Sequence, residues 1–464
     1  MYLVLAVTIG FILLQLAIGV LASRRVSSEG DYLLAGRRLG YPLATFSIFA
    51  TWFGAETCIG SAGAVHTEGL SAGSADPFGY AGCLIFMGLV FAGPLRRRGL
   101  TTLADLFRGR YSPGVERLAV LLMVPTSLLW AAAQVRAFGQ VLSAASGLET
   151  ALTITLAAAV VVIYTSFGGL MADAVTDLLQ GIVIAAGLLI LFAAVQLADV
   201  PGGGVSLAAV ESSRLRLFGG EGRSLLDTLE AWMIPICGSI VAQELISRVL
   251  AARSVRVARR ACLLGGSLYL LLGSIPVYVG LVGAQLLPDL ENPETILPLA
   301  ARRLLPPILY AVFVSALMSA ILSTVDTTLL SCSALVAHNI AVPLRPQMSE
   351  RSKLSLARGG VVAGGLIAYV LAMNAEGVYH LVEEASSFGS AGLFVILVFG
   401  LFTRIGGPAS AAAALMAGVI AWLIGAYAAG WSRPFLASIG CALAAYLATA
   451  ALARRKNNSS FLEM

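Results

Sequence analysis

Charge is what this chain has least of. Only 12% of its 464 residues are Asp, Glu, Lys or Arg, about half the share of an ordinary soluble domain. Hydrophobic residues make up 58%, and the mean hydropathy is +0.88. A water-soluble fold this apolar would expose more greasy surface than solubility tolerates. Histidine is nearly missing: His66, His338 and His380 are the three, too far apart for ligand spacing around a metal. No C-x-x-C pair joins the six cysteines, Cys58, Cys83, Cys237, Cys262, Cys332 and Cys441. Each sits in or beside an apolar run and reads as a small buried hydrophobe. No phosphate loop follows a strand, no nucleophile has a histidine partner, and the short alternating strands of a barrel do not occur. An enzyme is therefore not expected, and no cofactor. The net charge of +5 is not gathered on a basic face, so no nucleic-acid partner is expected either.

Long apolar runs are what is present. About thirteen follow one another: 2–23, 41–66, 74–95, 116–146, 149–166, 170–198, 226–249, 260–287, 307–337, 358–376, 378–403, 407–428 and 433–453. Each is near the roughly 20 residues that carry a helix across a bilayer core. The expected fold class is an all-α integral membrane protein of about thirteen transmembrane helices. The first run lacks a basic segment ahead of it and is followed by Arg24 and Arg25, so it reads as a span and not as a cleaved signal.

Those arginines put the N-terminus outside. Counting alternate loops from there gathers Arg37, Arg38, Arg96, Arg97, Arg98, Arg108, Arg110 and Arg117 on the cytoplasmic side, then Arg248, Arg253, Arg256, Arg259, Arg260, Arg345, Arg351, Lys353, Arg358 and Arg404. Arg454, Arg455 and Lys456 follow in the tail, against Arg214, Arg216, Arg223, Arg302, Arg303 and Arg433 opposite. This bias sets an N-out, C-in, multi-pass orientation in the plasma (inner) membrane. The final NNSSFLEM reads as disordered. The Gly-rich outside loop near 199–225 leaves room for a short surface helix.

Function in such a chain sits where polarity is tolerated inside the membrane. The second run, TFSIFATWFGAETCIGSAGAV, carries Thr51, Gly54, Glu56, Thr57 and Gly60 at mid-depth. Glycines around a carboxylate point to a helix that unwinds there and offers carbonyls to a cation; the alternative is a straight helix with a small-residue packing face. In the ninth run Ala320, Ser323, Thr324 and Thr327 are spaced i, i+3, i+4, i+7 and share a helical face, with Asp326 beside it. Hydroxyls on adjacent turns are hard ligands for a hard cation; taken singly, buried Ser and Thr bond the i−4 carbonyl. The sixth run opens with Asp173 and Asp177 at i, i+4, which reads equally as interfacial solvation. Arg136, also within a run, could snorkel.

Three segments then carry a resemblance. DYLLAGRRLG, YTSFGGLMADAVTDLLQG and the ninth run, in that order, resemble the sodium:solute symporter family over nearly the whole chain. The resemblance implies a LeuT-type fold with two five-helix inverted repeats, each opening with a broken helix. The implied divisions are 1–40, a peripheral helix and cytoplasmic loop; 41–198, the first repeat; 199–225, an extracellular loop; 226–403, the second repeat; and 404–464, C-terminal helices and tail. Pro235, Gly238 and Gln243 mark the second break. Carried residue by residue, the resemblance implies sodium at the Ala50, Phe53 and Ala320 carbonyls and the Ser323 and Thr324 hydroxyls. A second sodium or a proton falls on Asp177, Asp326 and Thr327.

ATWFGAET, DPFGYAGCLIFMGLVFAGPLRRRG and LLWAAAQ are similar to the high-affinity choline transporter branch. That likeness implies a cation–π cage with Trp52, Tyr80 and Trp130; the alternative is that the tryptophans simply pack between helices. The chain departs from the branch at Ala242, where the family's IPWQ has tryptophan, and at Glu56, where it has glycine. The expected substrate set is Trp52, Glu56, Thr57, Tyr80, Trp130, Ala242 and Gln243. The expected activity is sodium-driven uptake of a cationic, choline-like amine, with a small solute, sodium ions and lipid as partners. Proton coupling through Glu56 or Asp326, symport of an amino acid or other zwitterion, and a channel or sensor are the rival readings.

Overall fold

The computed structural model describes residues 6–7, 9–10, 13–15, 17–18, 21, 26–71, 75–200, 203–218, 224–375 and 378–462. Among the described residues, nine helices are long and apolar enough to cross a membrane, or ten with a bent pair counted as one span. They are Asp76–Arg97, Pro113–Ala144, Gly168–Gln196, Val255–Leu286, Pro307–Leu344, Glu350–Asn374, Leu381–Phe402, Pro408–Ala428 and Pro434–Arg455. The bent pair is Leu225–Gly238 with Gln243–Ala251, turned by 45°. Three of the expected spans are not in that count, each for its own reason. The 2–23 run lies largely outside the described residues. The 41–66 run is split into Tyr41–Trp52 and Ser61–Glu68. Thr150–Ile163 is apolar but short.

Two breaks organise the molecule. The helix from Tyr41 starts after Gly40, with a proline in its first turn, and ends where Phe53 leaves helical geometry (φ −83°, ψ 70°). The chain resumes through a π-turn at Glu56–Gly60 into Ser61–Glu68. The second break follows a π-turn at Ile234–Gly238, and Ala242 (φ −65°, ψ 126°) caps the helix Gln243–Ala251. A third irregularity, the glycine pair of YTSFGGLM, separates two spans: Gly169 has φ +67°, and a Cβ there would lie 2.7 Å from the Tyr32 ring. Only a residue without Cβ combines that backbone with that approach.

Pro307–Leu344 is the axis of the bundle, with 78% of its apolar window buried, whereas Pro434–Arg455 buries 28% and Glu350–Asn374 33%. Leu366, Ile367 and Val370 are exposed on the latter, the pattern of a helix with one face against lipid. The loop before the first broken helix is tied to the end of the second: Leu39 N–H donates to Ala251 O (3.2 Å) and Arg253 N–H to Leu39 O (2.9 Å).

Several expectations are corrected. Asp199–Val200 and Gly203–Gly204 pair as a short antiparallel ribbon, and among the described residues of that loop Leu207–Ala209 makes one 3-10 turn in place of a surface helix. Cys441 is exposed, unlike the other five cysteines. The last helix runs on to Leu462, through most of the segment expected to be disordered.

Candidate functional site

The first break creates an oxygen cluster. In an unbroken helix the Gly54 N–H would bond to Ala50 O; here it turns to Trp52 O at 3.0 Å, which releases the Ala50 carbonyl. Thr324 Oγ1 lies 3.3 Å from that carbonyl and 3.3 Å from Ala320 O. A Cβ on Gly54 would stand only 2.8 Å from Thr324 Oγ1, so glycine permits the contact. Ser323 Oγ is also in this layer and donates to Asp177 Oδ1. The structure thus brings the Ala50 and Ala320 carbonyls and Thr324 Oγ1 together at the break, where Phe53 is buried, while the Ser323 hydroxyl is turned to Asp177. Carbonyls and hydroxyls at a helix break suit a hard cation.

The greatest surprise is Arg248. By sequence it belongs with the cytoplasmic loop charges that set topology. In the structure it is 0% exposed, on the helix after the second break. Its Nη2 donates to Asp173 Oδ2 and Thr327 Oγ1, its Nε to Ser47 Oγ (3.2 Å), and it lies 3.7 Å from Asp177 Oδ2. Asp177 in turn accepts from Ser47 Oγ at 2.6 Å. Asp173 and Asp177 are therefore buried counter-charges and not interfacial ones. Asp326, 4% exposed, lies against Thr165. A signal existed in the sequence: two aspartates on one face of an apolar helix need a buried cation, and Arg248 stands in the apolar LISRVLAA, ahead of the basic cluster at 253–260.

On the other side of the break lies an aromatic group. Trp52 and Trp130 have ring centroids 4.7 Å apart, and Tyr80 stands 6.0 Å from Trp52 and 6.1 Å from Trp130. Tyr80 OH shares a hydrogen bond with Ser386 Oγ (3.1 Å). The structure adds residues that sequence reading passed over. Thr57 Oγ1 donates to Asp76 Oδ2 (2.9 Å) and meets Tyr269 OH at 2.5 Å, while Tyr269 OH reaches Asp76 Oδ1 (3.0 Å) and Trp52 O (3.2 Å). Gln134 clamps the break, donating to Glu56 Oε2 (2.6 Å) and accepting from Ala55 N–H (2.9 Å). Asp76 opens an apolar run and was indistinguishable by sequence from an interfacial residue; nothing local marks Gln134 or Tyr269.

Glu56 and Asp76 are each 1% exposed, and among the described residues neither has a basic partner within ion-pair distance. Among the described residues, Glu56 Oε1 and the Trp52 and Trp130 indole N–H groups have no hydrogen-bond partner. Two of the expected substrate residues stand apart from this group. Gln243 accepts from Leu103 N–H (2.9 Å) and donates to Ser247 Oγ (3.3 Å). Ala242 lines a small gap with Met123, Thr126 and Ser127, Ser127 being one turn from Trp130. Arg136 is half-buried; its Nη1 donates to Ala372 O (3.1 Å), and with Gln140, Asn292 and Glu294 it lines a cavity of about 350 Å³. The His380 side chain lies outside the described residues.

Paired helix breaks facing a hydroxyl-bearing central helix define an all-α membrane transporter of the LeuT type. The chain belongs to the sodium:solute symporter family, whose model matches residues 32–420; it is a sodium-coupled solute symporter and not an enzyme. It is 27% identical over 405 residues to a high-affinity choline transporter of Caenorhabditis elegans, covering 80% of this chain and 69% of that one. To the Drosophila melanogaster high-affinity choline transporter it is 28% identical over 407 residues, covering 83% of this chain and 64% of the relative. The structure of a Na+-coupled sialic acid symporter in a substrate-bound outward-open state superposes with a TM-score of 0.85 at 19% identity, covering 97% of each chain.

Proposed function

We propose that the protein takes up a cationic amine of choline-like character together with sodium, by alternating access. The observation that carries this is the pair of buried carboxylates, Glu56 and Asp76, which have no basic partner among the described residues and lie beside the Trp52–Tyr80–Trp130 cluster. Uncompensated buried acid is costly, and aromatic faces attract an ammonium group, so a cationic solute resolves both. Sodium sits at Ala50, Phe53, Ala320, Ser323 and Thr324 and ties the first broken helix to the central one. Substrate contacts come from Trp52, Glu56, Thr57, Tyr80 and Trp130, with Ala242 shaping the space where the branch has tryptophan.

The two breaks support repeats at 41–198 and 226–403 within about thirteen spans, flanked by 1–40, the extracellular 199–225 segment and 404–464. The remaining basic residues support an N-out, C-in orientation with Arg248 removed from the count. Rocking of one repeat against the other exposes solute and ion to each side in turn.

The test is a thermal-shift screen of purified protein with quaternary and primary amines, amino acids, sugars and carboxylates, with and without sodium. Amines stabilise most, and more so with sodium. Stabilisation by a neutral sugar or an anion, with none by amines, refutes the reading. A zwitterion is a second reading, favoured by the two buried indole N–H groups that lack an acceptor among the described residues; amino acids outranking simple amines in the same screen would select it.

A further inference from the structure

We propose that Arg248 is a resident cation that takes the place of a second sodium ion, so that each protein binds one sodium. The inference rests on the sodium reading above. The residues concerned are Asp177, Asp326 and Thr327, on which a second sodium or a proton is expected. In the structure a guanidinium already holds that position. It donates to Thr327 Oγ1 and Asp173 Oδ2, to Ser47 Oγ at 3.2 Å and to the Glu244 carbonyl at 3.5 Å. It stands 3.7 Å from Asp177 Oδ2 and is 0% exposed. A sodium ion on the Thr327 oxygen would collide with the Nη2 group and be repelled by its charge.

The guanidinium is the cation of an acidic cluster. Asp173 and Asp177 face it directly, and Asp326, which lies against Thr165, and Glu244 feel its charge from adjoining faces. Asp177 also accepts the Ser323 hydroxyl, which links the cluster to the oxygen layer at the first break. The tethered cation also belongs to the second broken helix, whose end is bonded to the loop carrying Leu39. It therefore holds the two broken helices and the central helix in one layer, a task a diffusible ion would perform only while bound.

The experiment counts radioactive sodium bound per chain on the purified full-length protein. The wild type and Arg248→Lys bind one; the double variant Ser323→Ala/Thr324→Ala binds none. Arg248→Ala/Asp173→Asn removes one charge of each sign and opens Asp177, Asp326 and Thr327 to solvent cations, so it binds one more than the wild type. Two sodium ions on the wild type overturn the proposal, as does one that survives in Ser323→Ala/Thr324→Ala. A monodisperse Arg248→Ala/Asp173→Asn protein that gains no site overturns it as well. A wild type that binds no sodium defeats the sodium reading instead. The tethered cation then stands if Arg248→Ala/Asp173→Asn gains a site and falls if it does not. Should that variant not fold, the counts on the wild type, Arg248→Lys and Ser323→Ala/Thr324→Ala decide.

Discussion

Replacing Gly54 with alanine is the smallest change that should uncouple the first broken helix from the central one. An added Cβ would stand 2.7 Å from Gln134 Oε1, 2.8 Å from Thr324 Oγ1 and 3.0 Å from Glu56 Oε2. All three lie inside ordinary contact distance, and none is a free side-chain end. Gln134 is fixed by the Ala55 N–H and by Glu56, and Thr324 is held between the Ala50 and Ala320 carbonyls. Relieving the overlap means giving up at least one of these buried bonds, each worth about 1–3 kcal/mol once a partner is left unsatisfied. At ~2 kcal/mol, and about 1.4 kcal/mol per factor of ten, half-saturation by sodium should rise roughly 30-fold. The assay is sodium-dependent uptake into proteoliposomes, with sodium titrated against a fixed gradient. Gly359→Ala, where an added Cβ meets nothing within 4 Å, is the control and leaves the curve in place. A Gly54→Ala protein with wild-type sodium dependence would refute the claim that the Gly54 contact builds the cation site.

Three further outcomes are expected. Ser323→Ala with Thr324→Ala removes both hydroxyl ligands, and sodium-stimulated uptake should vanish while the protein remains folded by its melting curve; unchanged uptake would sink the site. Glu56→Gln keeps the shape and removes the charge, so affinity for a cationic amine measured by ligand-induced thermal shift should fall about tenfold or more, the value of a charge-assisted bond of ~1.5–3 kcal/mol; equal affinity would show that Glu56 does not face the solute. Asp105 offers a pH test away from the spans. Burial pushes its carboxyl up, but hydrogen bonds from His338 and from the Thr102 and Thr101 backbone outweigh that and hold it below the usual carboxylate range. A depressed carboxylate stabilises the fold above its unfolded value and loses that contribution as pH falls through the folded one. Asp105→Asn should therefore lower stability at neutral pH by about 1.5–3 kcal/mol, with the difference from wild type closing as pH drops below about 4; a gap independent of pH would contradict this.

Bulk composition alone determined that the chain lives in a membrane, because no soluble packing hides so much apolar surface in a chain with so little charge, and the length of the apolar runs made it helical. Local pattern went further. Glycines around Glu56 marked the first break, Pro235 and Gly238 the second, and the i, i+3, i+4, i+7 spacing of Ala320, Ser323, Thr324 and Thr327 marked one face of the central helix. Each is a short-range property that one helix carries within itself.

What crosses between helices was not legible. Arg248 looked like a loop arginine because charge in a sequence carries no depth; only the fold sets it against Asp173 and Asp177, 71 and more residues away along the chain. Asp76 drew no reading from the sequence, and only the fold closes Thr57 and Tyr269 around it. Gln243 was expected among the substrate contacts, yet its amide is taken up by Leu103 N–H and Ser247. Partners of buried polar groups are chosen by whichever helices pack together, and in an apolar medium that choice decides whether a charge is a topology signal, a counter-ion or a binding site.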